Sequence, residues 1–135
     1  MTVSADYSPT LLDHYRHPRN VGEIAGSPAV AQVGDPAHGD VLRLGLRIEN
    51  GRVIEARFKS FGCTAAIAAG SMTTLIVAGK SLIEAERITN QDVADALGGL
   101  PDSKRHCSVL AEQAIKEALR RYRLAMETAG EPACR

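Results

Sequence analysis

The chain has no tryptophan and only five other aromatic residues, three Tyr and two Phe. A surface that stacks nucleic-acid bases needs more aromatic area than that. It also has no excess of either charge, since sixteen basic residues balance sixteen acidic ones. Bulk electrostatics therefore gives no reason to expect nucleic acid or an anionic membrane as a partner. No apolar run approaches the roughly 20 residues that cross a bilayer. The opening residues MTVSADYSPT contain no apolar stretch of the kind found in a signal peptide. The expected location is cytoplasmic. Cysteine is scarce, with only Cys63, Cys107 and Cys134. An odd, sparse set is a poor disulfide framework. In a reducing compartment such thiols are buried, reactive or metal-binding. The absence of a local C-x-x-C pair removes support for a zinc ribbon.

What is present suits one ordinary domain. The chain has 135 residues, 44% hydrophobic and 24% charged, enough to bury a core without covalent staples. We expect a single domain over 1–135, with 1–6 and 125–135 flexible.

Ser8-Pro9 reads as a helix start, because Ser caps and Pro suits the first helical position. The helix carries Leu11, Leu12 and Tyr15 and stops before His17-Pro18. Residues 18–29 are loop. Residues 30–33 form a short strand. Residues 41–49 alternate, with Leu42, Leu44, Leu46 and Ile48 on one face, which is the period of a strand with one wet side. Asn50-Gly51 is a strong hairpin signal, and Arg52 to Lys59 is the return strand. From Thr64 the chain turns small and apolar and reads as a helix ending at Gly79. Ser81 to Glu84 is a capping box opening a short helix, Asn90–Leu97 is another, and Gly98-Gly99 ends it. Residues 108–123 carry a helical stripe of Leu110, Ala114, Ile115, Ala118, Leu119 and Tyr122. The expected class is α+β: a small antiparallel sheet of about three strands, covered on one face by helices, with a long C-terminal helix.

Three places combine loop context with ligand chemistry. Gly34 to Asp40 is a turn with His38 and Asp40 two apart. Phe61-Gly62-Cys63-Thr64 joins a strand end to a helix start, where the helix dipole favours thiolate. Arg105-His106-Cys107 stands just ahead of the long helix, with Lys104 close by. Each place alone reads as an ordinary loop or a small buried residue. Together they offer two thiols, two imidazoles and a carboxylate at element ends, a donor set that suits zinc or iron–sulfur ligation.

In order along the chain stand Tyr7-Ser8, Asp13-His14-Tyr15, Pro18-Arg19-Asn20-Val21-Gly22 and Gly39-Asp40-Val41. Arg57-Phe58-Lys59 with Phe61-Gly62-Cys63, Gly79-Lys80-Ser81-Leu82 with Glu84-Ala85, and His106-Cys107-Ser108 with Leu110-Ala111-Glu112 follow. This ordered set, spanning about Tyr7 to Tyr122, resembles the IscU/NifU-type iron–sulfur cluster scaffold family. The resemblance implies a scaffold, not an enzyme. Such a protein takes sulfur from a cysteine desulfurase and iron from a donor, builds a labile [2Fe–2S] cluster, and passes it to apo iron–sulfur acceptor proteins. It implies that Asp40, Cys63, His106 and Cys107 are ligands. The interval from Cys63 to Cys107 is similar to that of the IscU branch and lacks the insertion of the SufU branch.

The family's first ligand cysteine falls at position 38, where this chain has His38. Imidazole can replace thiolate on iron, but it cannot carry a persulfide. Sulfur acceptance then rests on Cys63 or Cys107. The family's Leu-Pro-Pro-Val-Lys motif reads Leu100-Pro101-Asp102-Ser103-Lys104 here, which weighs against an Hsp70-type chaperone partner. By resemblance, Tyr7 and the N-terminal segment contact a desulfurase. Lys104, close to His106 and Cys107, is placed to offset the negative charge of the site. Cys134 lies outside the match as a free tail thiol. Two other readings stay open. One is a stable His-ligated cluster acting as a redox or sensor module. The other is a Zn²⁺ site that partners a cysteine desulfurase in sulfur transfer; hydrolysis by zinc-bound water lacks a separate general base.

Overall fold

The computed structural model describes residues 7–35 and 39–130. In chain order the elements are α1 (Pro9–Arg16), β1 (Val30–Asp35), β2 (Asp40–Glu49), β3 (Arg52–Phe61), α2 (Thr64–Val77), α3 (Leu82–Glu86), α4 (Asn90–Ala96), a 3-10 turn at Asp102–Lys104, and α5 (Arg105–Gly130). The strands form one antiparallel sheet in the order β1-β2-β3. The α+β architecture with a long C-terminal helix is therefore as the sequence implies.

The alternation over β2 does what its period requires. Leu42, Leu44 and Leu46 are buried with Ala56 and Phe58 of β3 in one core cluster with α2 and α5. Asn50 and Gly51 both take positive φ, 55° and 73°, the backbone of the two-residue turn that matches strand twist. A bulge between Arg47 and Ile48 lets the ladder end on Glu49 opposite Arg52.

Helix α2 has little amphipathic contrast: Ala65, Ala66, Ala68, Ala69, Ser71, Met72, Thr73, Thr74 and Val77 are all buried. A helix apolar all round belongs at the centre of a fold, and α2 packs against α1, β3, α5 and α4. Gly70 lets it approach the sheet, because a Cβ there would lie 2.4 Å from the Phe58 ring. The loop after α1 is pinned to α2 by polar groups. Ser71 Oγ accepts the Arg19 N–H at 2.9 Å and pairs with His14 Nδ1 at 2.7 Å, and Asn20 Nδ2 donates to Thr74 Oγ1 at 3.0 Å. The Ser8 side chain caps α1 and its hydroxyl donates to the Leu97 carbonyl, tying α1 to the end of α4.

Several boundaries differ from the sequence reading: β2 opens at Asp40 rather than 41, β3 runs to Phe61 rather than Lys59, and α4 ends at Ala96 rather than Leu97. Strand β1 runs to Asp35 rather than 33, paired with β2 along its whole length. Helix α2 ends at Val77, two residues before Gly79. Helix α5 covers 105–130 rather than 108–123. The 3-10 turn feeds directly into it, so Arg105-His106-Cys107 form its first turn instead of standing ahead of it. At the other end Leu124 to Ala129 are mostly good helix formers, and residues 125–130, expected to fray, continue the helix. Among the described residues no helix is long and apolar enough to cross a membrane.

Candidate metal centre

Four of the five side chains singled out in the sequence come together at one end of the sheet. Asp40 opens β2, Cys63 caps α2 just after β3, and His106 and Cys107 lie in the first turn of α5. The sulfur atoms of Cys63 and Cys107 are 3.8 Å apart. His106 Nε2 is 2.5 Å from Asp40 Oδ2 and 3.6 Å from Cys107 Sγ. One donor atom from each of Asp40, His106 and Cys107 lies within 4.8 Å of the others. His38 and Cys134 lie outside the described residues.

The backbone explains the convergence. Val41 pairs with Phe61 across the β2–β3 ladder, so Asp40 and Gly62 face each other just beyond it. Asp40 Oδ1 accepts the Cys63 N–H at 3.2 Å. Gly62 has φ +150°, and a Cβ there would sit 2.1 Å from Asp40 Oδ1. A side chain at 62 would fill the space the carboxylate occupies. The sequence shows Gly62 as part of a motif; its reason is this contact, which no pattern of spacing reveals.

Burial differs among the donors. Cys107 is 1% exposed, while Cys63 is half-buried and His106 is exposed. The two thiols divide their charge. The Cys107 thiol donates toward Cys63, and this contact first, with the Ala66 backbone amide and Lys104, brings Cys63 down to about 5 against burial and the charge of Asp40. The same contact, then burial, pushes Cys107 well up. The coupling therefore favours the thiolate on the more accessible sulfur, Cys63. Burial works to raise the Asp40 carboxyl, but the hydrogen bonds from His106 and from the Cys63 N–H outweigh it and leave it below the usual carboxylate range. The negative charge on Cys63 raises the ammonium of Lys104, though burial opposes it.

Asp40, His106 and Cys107 offer an oxygen, a nitrogen and a sulfur within reach of one ion, and the Cys63 sulfur stands outside that set, beside Cys107; such donors suit a thiophilic metal. The soft thiolates give strong bonds, and the carboxylate is a hard donor that exchanges more readily. Tyr7 is half-buried against the core at the start of the described chain.

The chain matches the family described as the NifU-like N-terminal domain over residues 6–129. It is 49% identical over 121 residues to the iron–sulfur cluster assembly scaffold protein IscU of Azotobacter vinelandii, covering 87% of this chain and 94% of that one. It is 45% identical over 122 residues to a Drosophila melanogaster protein named iron–sulfur cluster assembly enzyme IscU, covering 87% and 79%. The crystal structure of a nitrogen-fixing NifU-like protein (N-terminal) from Brucella abortus has the same fold, with a TM-score of 0.54 at 17% identity, covering 92% of this chain and 89% of that one. With its sheet, its helices and nearly its whole length accounted for, this chain belongs to the NifU-like N-terminal domain family.

Proposed function

We propose that this chain is an iron–sulfur cluster assembly scaffold, which holds a labile [2Fe–2S] cluster or its precursors and passes it to apo-proteins. The observation that carries this reading is the 3.8 Å approach of the Cys63 and Cys107 sulfurs beside the Asp40–His106 pair. The cluster is cargo, and the protein's work is to accept, hold and release it. Cys63, Cys107, Asp40 and His106 are its ligands in this reading, with His38 standing in the sequence where the family has its first cysteine.

Cys63 is the sulfur acceptor. It is the more exposed of the two thiols and the one whose thiolate the contact with Cys107 favours. Its sulfur attacks the outer sulfur of a persulfide on a cysteine desulfurase. The donor's S–S bond breaks, the donor cysteine leaves as thiolate, and Cys63 carries the new persulfide. Lys104 balances the accumulated negative charge. Iron then enters from a donor protein or from solution. In this reading the chain accepts, holds and releases its cargo, which is the work of a scaffold rather than of an enzyme.

A second reading is supported by the same donors. Two sulfurs, one nitrogen and one oxygen make a tetrahedral set for Zn²⁺, and a zinc-loaded chain would partner a desulfurase in sulfur transfer.

Anaerobic reconstitution, followed by an absorption spectrum and counts of iron, sulfide and zinc, tests these readings on wild type and on His38→Cys. The scaffold reading expects equal iron and sulfide, and movement of the cluster to an apo-ferredoxin within minutes. Zinc alone in both proteins supports the zinc reading. A cluster that stays bound in the presence of apo-ferredoxin makes the chain a stable redox or sensor module instead, and His38→Cys should then increase transfer.

A further inference from the structure

We infer that the outer face of the sheet, turned away from α2 and α5, is the docking surface for an acidic apo iron–sulfur acceptor protein. The inference rests on the scaffold reading for the partner's identity, and on the following geometry for its place.

Four cations line this face. The ladder sets Arg43 directly opposite Lys59, and Gly45 opposite Arg57, with Arg47 opposite Glu55. Like charges directly across a ladder are unfavourable. Here Glu23, from the loop before β1, bridges Arg43 at 3.1 Å and Lys59 at 3.5 Å. Glu55 likewise bridges Arg47 at 3.1 Å and Arg57 at 2.7 Å. Among the described residues these four cations stand against two carboxylates, and Glu49 and Arg52 oppose each other nearer the hairpin tip, which leaves an excess of two positive charges on a chain whose net charge is zero. All four basic side chains remain between 41% and 49% exposed. Exposed pairs of this kind add little to folding stability, so stability alone does not call for the cations. Their excess complements an acidic surface and would steer one toward this face.

The strip leads to the metal centre. Arg43 is three residues from Asp40, and Lys59 is four residues from Cys63. Beyond them on the same face stands the Val41–Phe61 pair. Phe61 is 72% exposed, and it lines an open depression of about 270 Å³ with Gln32, Gly39 and Val41. A large exposed aromatic beside a charged strip is the anchor-and-rim arrangement of protein interfaces. In the middle of the face Ile24 covers Gly45, so the surface is stepped. A partner resting on the strip with an apolar contact at Phe61 has its own edge beside Cys63 and Asp40, where incoming cysteines must reach a cluster.

The test uses the cluster-free chain, so that docking is read separately from loading. The probe is the apo form of an acidic [2Fe–2S] ferredoxin, titrated by calorimetry at low and at physiological salt. Wild type should bind, and binding should weaken as salt rises. Arg43→Gln with Lys59→Gln should weaken it about tenfold at low salt and flatten the salt dependence. Phe61→Ala should weaken it about fivefold and leave the salt dependence as it was. Arg120→Gln with Arg121→Gln, on α5, should bind like wild type; thermal unfolding checks that every variant folds. Absence of wild-type binding at low salt would overturn the inference. So would equal binding by the Arg43/Lys59 variant, or equal weakening by the α5 variant. Failure of the scaffold reading shows separately, as absence of iron and sulfide after reconstitution.

Discussion

Cys63 and Cys107 stand 44 positions apart in the chain, yet their sulfur atoms lie 3.8 Å from each other. One belongs to the cap of a central helix and the other to the first turn of the last helix. Their closeness makes each the main influence on the other's proton.

That coupling has a pH signature. In the metal-free chain carrying Cys134→Ser, alkylation of Cys63 should rise through about pH 5 and level off above it, because its thiolate forms there. Cys107→Ala removes the donor that holds the thiolate. The midpoint should then move up toward about 8.5, the ordinary value for cysteine. At pH 5.5 the variant should react about tenfold more slowly, the lower intrinsic reactivity of a low-pKa thiolate being already counted. Mass spectrometry of the modified peptide reads both. An unchanged midpoint would mean that Cys107 does not set the charge of Cys63.

Gly62→Ala should disturb the centre without touching a donor atom. The new Cβ would meet Asp40 Oδ1 at 2.1 Å and would impose a side chain on a φ of +150°. Zinc affinity, read by competition with a chelating dye, should fall by about ten- to a hundredfold, as when the support of a ligand is lost. The unfolding midpoint should fall by an amount worth about 1–3 kcal/mol. Retained zinc affinity would show that Asp40 is not held in place by this contact.

His14 should make the fold sensitive to acid. It is 4% exposed and paired with Ser71, and burial is the main cause that lowers its pKa below the ordinary 6.5. The folded state therefore prefers the neutral ring. Stability from this residue is intact above pH 6.5 and is lost as pH falls from there through the lower folded value. Urea unfolding from pH 8 to pH 5 should show a decline that His14→Gln reduces. Ser71→Ala, which strands the ring and the Arg19 N–H, should cost about 1–3 kcal/mol at pH 8. A parallel decline in wild type and His14→Gln would assign the acid sensitivity elsewhere.

Gly70→Ala tests the contact between α2 and the sheet. Its Cβ would lie 2.4 Å from the Phe58 ring, and overpacking of a filled core costs about 1–3 kcal/mol. The paired change Gly70→Ala with Phe58→Leu should recover part of that loss. Calorimetric melting temperatures give both values.

The hairpin was legible because every local signal in it agrees. Leu42, Leu44, Leu46 and Ile48 alternate, and Asn50-Gly51 fits only a narrow class of turn. The start of α5 was not legible. Arg105, His106 and Cys107 have no apolar period, and it is the 3-10 turn at Asp102–Lys104 that fixes where the helix begins. Of the candidate site, the sequence indicates the donor types and their order. It cannot give the Cys63–Cys107 distance, which depends on how α2 and α5 pack. Nor can it give the Asp40–His106 contact, made across 66 positions. Gly62 could be noticed as a glycine before a cysteine, but only the approach of the Asp40 carboxylate explains it.

The β2–β3 hairpin works as a pair of calipers. Its pivot is the Asn50-Gly51 tip, and its two points are Asp40 and Cys63 at the far end. One residue added to either arm would shift that point by about 3.4 Å and turn it to the opposite side of the sheet. A lesion at the tip, remote from every donor atom, can therefore open or misalign the donor set while leaving each of those residues in the sequence untouched.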